Sequence, residues 1–193
     1  MTEKISLVKL AQQTITAMIN PGDIAIDATV GNGHDCLFLS NAVGARGHVY
    51  GYDIQQQALD NTRQLLIDNN CNDNVTLIKS CHSNIDMLPE QSHGNITAVM
   101  FNLGYLPGGD KQLITSEGTT IAALKALLAL LADKAIVSIL AYRGHPGGEQ
   151  EADSIIEFCK TLDAALYRHE TKTISATKTI SPILITIQNQ FAL

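Results

Sequence analysis

Two acids, Asp27 and Asp53, close two short apolar runs, Ile24-Ala25-Ile26 and Val49-Tyr50-Gly51-Tyr52, and a glycine turn lies between them. Gly31 and Gly33 sit in the stretch Asp27-Ala28-Thr29-Val30-Gly31-Asn32-Gly33-His34-Asp35, and Asp53 follows Gly33 by twenty residues. That is the layout of one nucleotide-binding βαβ half. Glycines let the backbone approach a ligand, and the acid at the end of the second strand accepts hydrogen bonds from ribose hydroxyls.

The details favour S-adenosylmethionine over a dinucleotide. A third glycine in the dinucleotide fingerprint lets helix and strand pack beside a pyrophosphate, and Cys36 occupies that place. A carboxylate at Asp27 would repel a pyrophosphate, but it suits a ligand whose amino-acid end is an ammonium. Asp53 would hold the ribose. The blander reading is that Asp27 caps the turn and Asp53 is a solvated strand end.

Three further loops carry candidate chemistry. After a third strand comes Ser80-Cys81-His82-Ser83, where a side chain could face an adenine or where His82 could instead cap the short helix that follows. After a fourth comes Asn102-Leu103-Gly104-Tyr105-Leu106-Pro107-Gly108-Gly109-Asp110-Lys111. It resembles the Asn/Asp-Pro-Pro-aromatic signature of amine-directed methyltransferases, with Leu103 and Gly104 in place of the prolines. The Asn102 side-chain carbonyl and a nearby backbone carbonyl can each accept an N–H, which aims a nitrogen lone pair at the methyl group. Tyr105 can pack on a planar substrate. After a fifth strand comes Tyr142-Arg143-Gly144-His145-Pro146-Gly147-Gly148-Glu149. Asp110 and His145 are the candidate proton acceptors, and loop shaping is the alternative for His145.

The blocks 27–35, 51–55 (Gly-Tyr-Asp-Ile-Gln), 101–111 and 144–148 (Gly-His-Pro-Gly-Gly) together resemble the methyltransferase family long labelled "putative rRNA methylase". That family includes the bacterial enzymes that methylate 5-aminomethyl-2-thiouridine at the tRNA wobble position. The resemblance spans almost the whole chain. It implies S-adenosylmethionine as donor and an aminomethyl nitrogen in the tRNA anticodon region as acceptor, with rRNA or a small amine as the alternative. Carried onto this sequence, it implies cofactor contacts from Asp27, Gly31, Asn32, Gly33, His34 and Asp35 in the first loop. Asp53, Ile54 and Gln55 would follow at the second strand end, with Cys81 and His82 at the third and Asn102 and Leu103 at the fourth. Cys81 stands where a serine or similar small residue is expected, and Arg143 where a smaller or more rigid one is. Read from the loops themselves, the candidate catalytic set is Asn102, Tyr105, Asp110 and His145, without a metal.

Positioning these groups requires strands that alternate with helices. Helical spacing of Ile5, Val8, Ala11, Ile15 and Met18 predicts a helix over 4–18, stopped by Asn20-Pro21-Gly22. Strands are expected at 24–28, 48–52, 75–78, 96–101, 135–141, about 165–173 and 183–187. Helices are expected at about 34–43, 55–69, 117–132 and 148–161. This pattern predicts an α/β fold: a Rossmann-like, seven-stranded class I methyltransferase sheet, mostly parallel, with helices on both faces. The short 174–182 link predicts an antiparallel C-terminal hairpin.

At 193 residues one domain over 1–193 is expected. No apolar run approaches the roughly 18 residues of a membrane span, and the N-terminus does not read as a signal peptide. Four cysteines, scattered and without a C-x-x-C, fit a reducing cytoplasm. A net charge of −6 argues against broad electrostatic binding of nucleic acid. Arg168, Lys172 and Lys178 face only Glu170 and make the C-terminal part the candidate basic face, or a solvated charge set. Apolar positions along 117–132 and in the hairpin would serve a homodimer as readily as a core.

Overall fold

The computed structural model describes residues 6–106, 108, 114–173 and 181–190. Helix α1 (Leu7–Thr16) opens where the Ser6 hydroxyl accepts the Lys9 N–H at 3.2 Å, and it buries Leu7, Ala11 and Ile15 along one stripe. Strand β1 (Ile24–Asp27) leads through the glycine turn into α2 (His34–Val43), and β2 (His48–Asp53) into α3 (Gln56–Asp68). Strand β3 (Val75–Lys79) precedes two short 3-10 turns, and β4 (Ile96–Leu103) precedes α4 (Glu117–Leu127). The chain closes with β5 (Leu131–Ala141), α5 (Gly148–Lys160), β6 (Tyr167–Thr173) and β7 (Ile183–Asn189).

All seven strands join one sheet in the order β3-β2-β1-β4-β5-β7-β6. The first five run parallel, and β7 is antiparallel to both of its neighbours, with Ile183 paired to Ala141 and to Thr173. Alternate residues feed two cores, as a sheet covered on both faces requires. Val99, Phe101 and Leu103 of β4 join Val137 and Ile139 of β5 under α4 and α5. Ala98, Met100, Ile136 and Leu140 face the other way, toward α1 and α2. None of the described helices is long and apolar enough to cross a membrane.

One helix is shorter than its apolar run. The 117–132 expectation ends at Leu127, because the Leu130 carbonyl leaves the helix to accept the N–H groups of Gly94 and Ile96 at the start of β4. Burying Leu130 and Leu131 in a turn and strand satisfies their hydrophobicity as well as a further helical turn would. Helix 4–18 is likewise confined to Leu7–Thr16, and residues 4 and 5 lie outside the described part. Strand order reverses between β1 and β4, and in open sheets ligands bind at the carboxyl ends of the strands flanking that point.

Candidate active site

The loops that follow β1, β2, β4 and β5 converge there on a cavity of about 670 Å³. At one end, Asp53 Oδ2 accepts the Gly31 N–H at 2.9 Å and Oδ1 accepts the Gln55 N–H at 2.8 Å. Gly31, at φ +54°, supplies the left-handed turn that aims its N–H there. An ionised carboxylate has about four acceptor sites, so the half-buried Asp53 keeps capacity for a pair of hydroxyls. Exposed Ile54 beside it, with Asn32, His34, Gln55 and Cys81, gives this end an apolar wall with polar edges.

His82 also lines the cavity, but it does not cap the 3-10 turn over His82–Met87. That role falls to Cys81, whose Sγ accepts the Ser83 N–H at 3.5 Å. The His82 ring is buried edge-on against Phe101, with Nε2 3.5 Å from Thr120 Oγ1. Burial lowers its pKa to about 4 against the opposing effect of a hydrogen bond to the Ala28 backbone, so the ring is neutral.

At the other end Asn102 is held by two hydrogen bonds, and the carboxylate that takes one of them is itself held by a third. Its N–H donates to Thr29 Oγ1 at 2.7 Å, and its side-chain Nδ2 donates to Asp35 Oδ2 at 2.7 Å. Gln12 Nε2, from α1, donates to the other Asp35 oxygen at 3.0 Å. An ionised carboxylate only accepts, so the Asn102 amide is fixed with its NH2 toward Asp35 and its carbonyl oxygen turned the other way. Gln12 had no local sequence signal, since a glutamine on the polar side of an amphipathic helix is unremarkable until the helix is docked.

The structure separates three expected contacts from the cavity. Asp27 is fully buried beneath the turn, with Oδ1 accepting the Thr29 N–H at 3.2 Å and Oδ2 without a partner. Burial, reinforced by Asp35, holds its pKa well above the usual carboxyl range, so Asp35 and not Asp27 offers a carboxylate to the cavity. Gly33 is the N-cap of α2 at φ +83°, and a Cβ there would lie 2.7 Å from Thr62 Oγ1, so it serves packing and not ligand approach. The Leu103 side chain belongs to the core, and its carbonyl accepts the Tyr142 N–H at 3.1 Å.

Tyr105 lines the cavity and meets His145 edge-on at 6.4 Å. His145 also lines it, yet Nδ1 lies 3.1 Å from the Pro146 carbonyl and Nε2 is buried without a partner, close to Gly148. Nδ1 is engaged with the Pro146 carbonyl and Nε2 is buried, so His145 as placed shapes the loop. Asp110 lies outside the described residues. The loop's base is closed by the Thr115 N–H on the Gly104 carbonyl at 3.0 Å and a bridge between Tyr105 and Ile114. Buried Glu151 of α5 pins it, accepting the hydroxyls of Thr115 at 2.8 Å and Thr120 at 2.6 Å.

The family model described as "Putative rRNA methylase" matches residues 49–188. The chloroplast tRNA (mnm(5)s(2)U34)-methyltransferase of Arabidopsis thaliana is 40% identical over 150 residues, which cover 73% of this chain and 54% of that protein. The chain therefore spans about half the length of that relative. A putative rRNA-methylase from Clostridium thermocellum superposes with a TM-score of 0.91 at 38% identity, covering 98% of this chain and all of the other. A putative methyltransferase from Streptococcus mutans, solved in complex with SAH, gives 0.85 at 33% identity over 96% and 98%.

Proposed function

The chain belongs to the family described as "Putative rRNA methylase", and on that premise we propose that it is an S-adenosylmethionine-dependent N-methyltransferase that converts wobble 5-aminomethyl-2-thiouridine in tRNA to 5-methylaminomethyl-2-thiouridine. The similarity to the Arabidopsis tRNA enzyme supports the acceptor, and the relative solved with SAH supports the cofactor. The observation that carries the amine reading is Asn102, whose NH2 is committed to Asp35 so that its carbonyl oxygen is the acceptor available to an amine.

The cavity's residues suit this cofactor. Asp53 would take the ribose hydroxyls, Ile54 and Cys81 would flank the base, and Asp35 would face the ammonium of the amino-acid end. When bound, the cofactor supplies a methyl group activated by a sulfonium. The protein's part is to orient and desolvate. Asn102 Oδ1 would accept one N–H of the neutral amine, which directs the nitrogen lone pair along the line of transfer. Transfer would make the N–C bond as the cofactor's S–C bond breaks with its electrons to sulfur, and the ammonium formed would lose its extra proton to solvent.

Nucleoside mass spectrometry of tRNA lacking the modification, after incubation with the protein and S-adenosylmethionine, tests this reading. Conversion of the aminomethyl nucleoside to its N-methyl form is the expected result. An unchanged nucleoside alongside demonstrable cofactor binding would remove the tRNA assignment and turn attention to rRNA and small amines.

A further inference from the structure

Of the seven large apolar side chains exposed among the described residues, Ile67, Met87 and Leu166 lie elsewhere and four fall at one site. Val8, Ile54, Tyr105 and Tyr142 all line the cavity. Ile54 adjoins Asp53 in the chain, whereas Val8 comes from α1 and Tyr105 and Tyr142 come from the loops after β4 and β5. Val8 lies one helical turn from Gln12, and the Tyr142 N–H is bonded to the carbonyl next to Asn102. Tyr142 is 41% exposed and Val8 38%.

A second depression, of about 270 Å³, opens off the cavity at this point. It is lined by Leu7, Leu140 and Ser181, and it shares Val8, Tyr142 and Pro182 with the cavity itself. The tyrosine therefore stands at the divide between the two. Partial burial, with a smaller contribution from the charge of Asp35, raises its pKa and keeps it a neutral phenol. Arg143, the next residue, is on the cavity wall and is tethered by its Nε donating to the Ser181 carbonyl at 2.8 Å.

We propose that this groove receives the nucleobase adjoining the target nucleotide in a single-stranded RNA loop, stacked on the Tyr142 ring beside the Arg143 guanidinium. The proposal rests on the tRNA reading above and specifies how the RNA is held. A chain of net charge −6 has little general attraction for a phosphate backbone. Affinity must then come from local contacts, and stacking unpaired bases on aromatic side chains is the sequence-tolerant way to obtain it. The groove walls are apolar, apart from Ser6 and Ser181, which suits a base face and not a phosphate. Seating the neighbour there would leave only the target base to enter the cavity.

The test uses an anticodon stem-loop bearing 5-aminomethyl-2-thiouridine, in versions with an abasic residue on either side of the target, against wild-type protein, Tyr142→Ala and Tyr142→Phe. Stacking on one aromatic ring contributes a factor of roughly 5 to 150. Tyr142→Ala should raise KM for the intact loop by such a factor, and Tyr142→Phe should restore it. Removing one of the two neighbouring bases should cost wild-type protein the same factor and cost Tyr142→Ala nothing further, as expected for two halves of one contact. Additive losses, or indifference of the wild type to both abasic loops, would overturn the proposal. So would a change in association state with Tyr142→Ala that accounts for the loss, which would make the groove a self-contact. No methylation of the intact loop by wild-type protein is a different failure, and it removes the proposed function itself.

Discussion

Asn102 Nδ2 donates to Asp35 Oδ2 across 2.7 Å, joining the end of β4 to the first turn of α2. The two residues are sixty-seven positions apart. The bond decides which end of the Asn102 amide points away from α2, and with it whether this side chain offers an acceptor or a donor on that side.

Asn102→Ala is expected to lower methyl transfer by about 100-fold or more, the scale of a misplaced reactant, and to leave S-adenosylmethionine affinity largely intact. Turnover assays paired with calorimetric titration of the cofactor check this. If affinity and turnover fall together, Asn102 is a cofactor or folding residue.

Asp35→Asn should behave differently. An amide at position 35 can donate to Asn102 Oδ1 and turn the Asn102 amide round, and it also removes the carboxylate proposed to face the cofactor's ammonium. Turnover and cofactor affinity should both fall, each by roughly tenfold or more for loss of a charge-assisted hydrogen bond. An unchanged cofactor dissociation constant would confine Asp35 to orienting Asn102.

Gly33→Ala should destabilise the fold by about 2 kcal/mol or more, since it combines a left-handed backbone with overpacking against Thr62. Thr62→Ala in the same chain should recover part of that loss, because it removes Oγ1 and Cγ2 but not the backbone strain. Urea unfolding of the two single variants and the double variant measures the coupling.

Glu151→Ala removes the common partner of two hydroxyls, those of Thr115 and Thr120. A loss of about 2–3 kcal/mol is expected for the unpaired groups, with Glu151→Gln retaining part of it. Equal stability of Glu151→Ala and wild type in chemical unfolding would show that the clip is not needed.

His82 makes the fold acid-sensitive. Its folded pKa is near 4 and its unfolded value near 6.5, so its contribution is complete above 6.5 and is lost as pH falls toward 4. The upper bound is about 3 kcal/mol. Asp27 acts in the opposite sense, because its raised pKa favours the folded state at low pH. Comparing wild type with His82→Gln at pH 7, 5.5 and 4 isolates the histidine. A pH dependence identical in both proteins would mean that the ring already carries a proton when folded, or that it is exposed in solution.

The order and type of elements were legible in the sequence because they are set locally. Alternation of Ile24-Ala25-Ile26 and Val49-Tyr50-Gly51-Tyr52 with helical stripes dictates buried strands flanked by helices, and a short link dictates the antiparallel pairing of β6 with β7. The glycine turn and the acid at the second strand end were legible for the same reason, but the bond from the Gly31 N–H to Asp53 was not. Three further things waited for the tertiary structure. Whether Asp27 or Asp35 faces the cavity depends on which carboxyl group the packed turn covers, and burial raises the pKa of the one it covers. Which way Asn102 points depends on Asp35 and, through it, on Gln12 of the first helix. Tyr142 stood out only when β5 delivered it beside Val8 on the wall shared by the two depressions, because exposure is a property of neighbours distant in the chain and not of the residue itself.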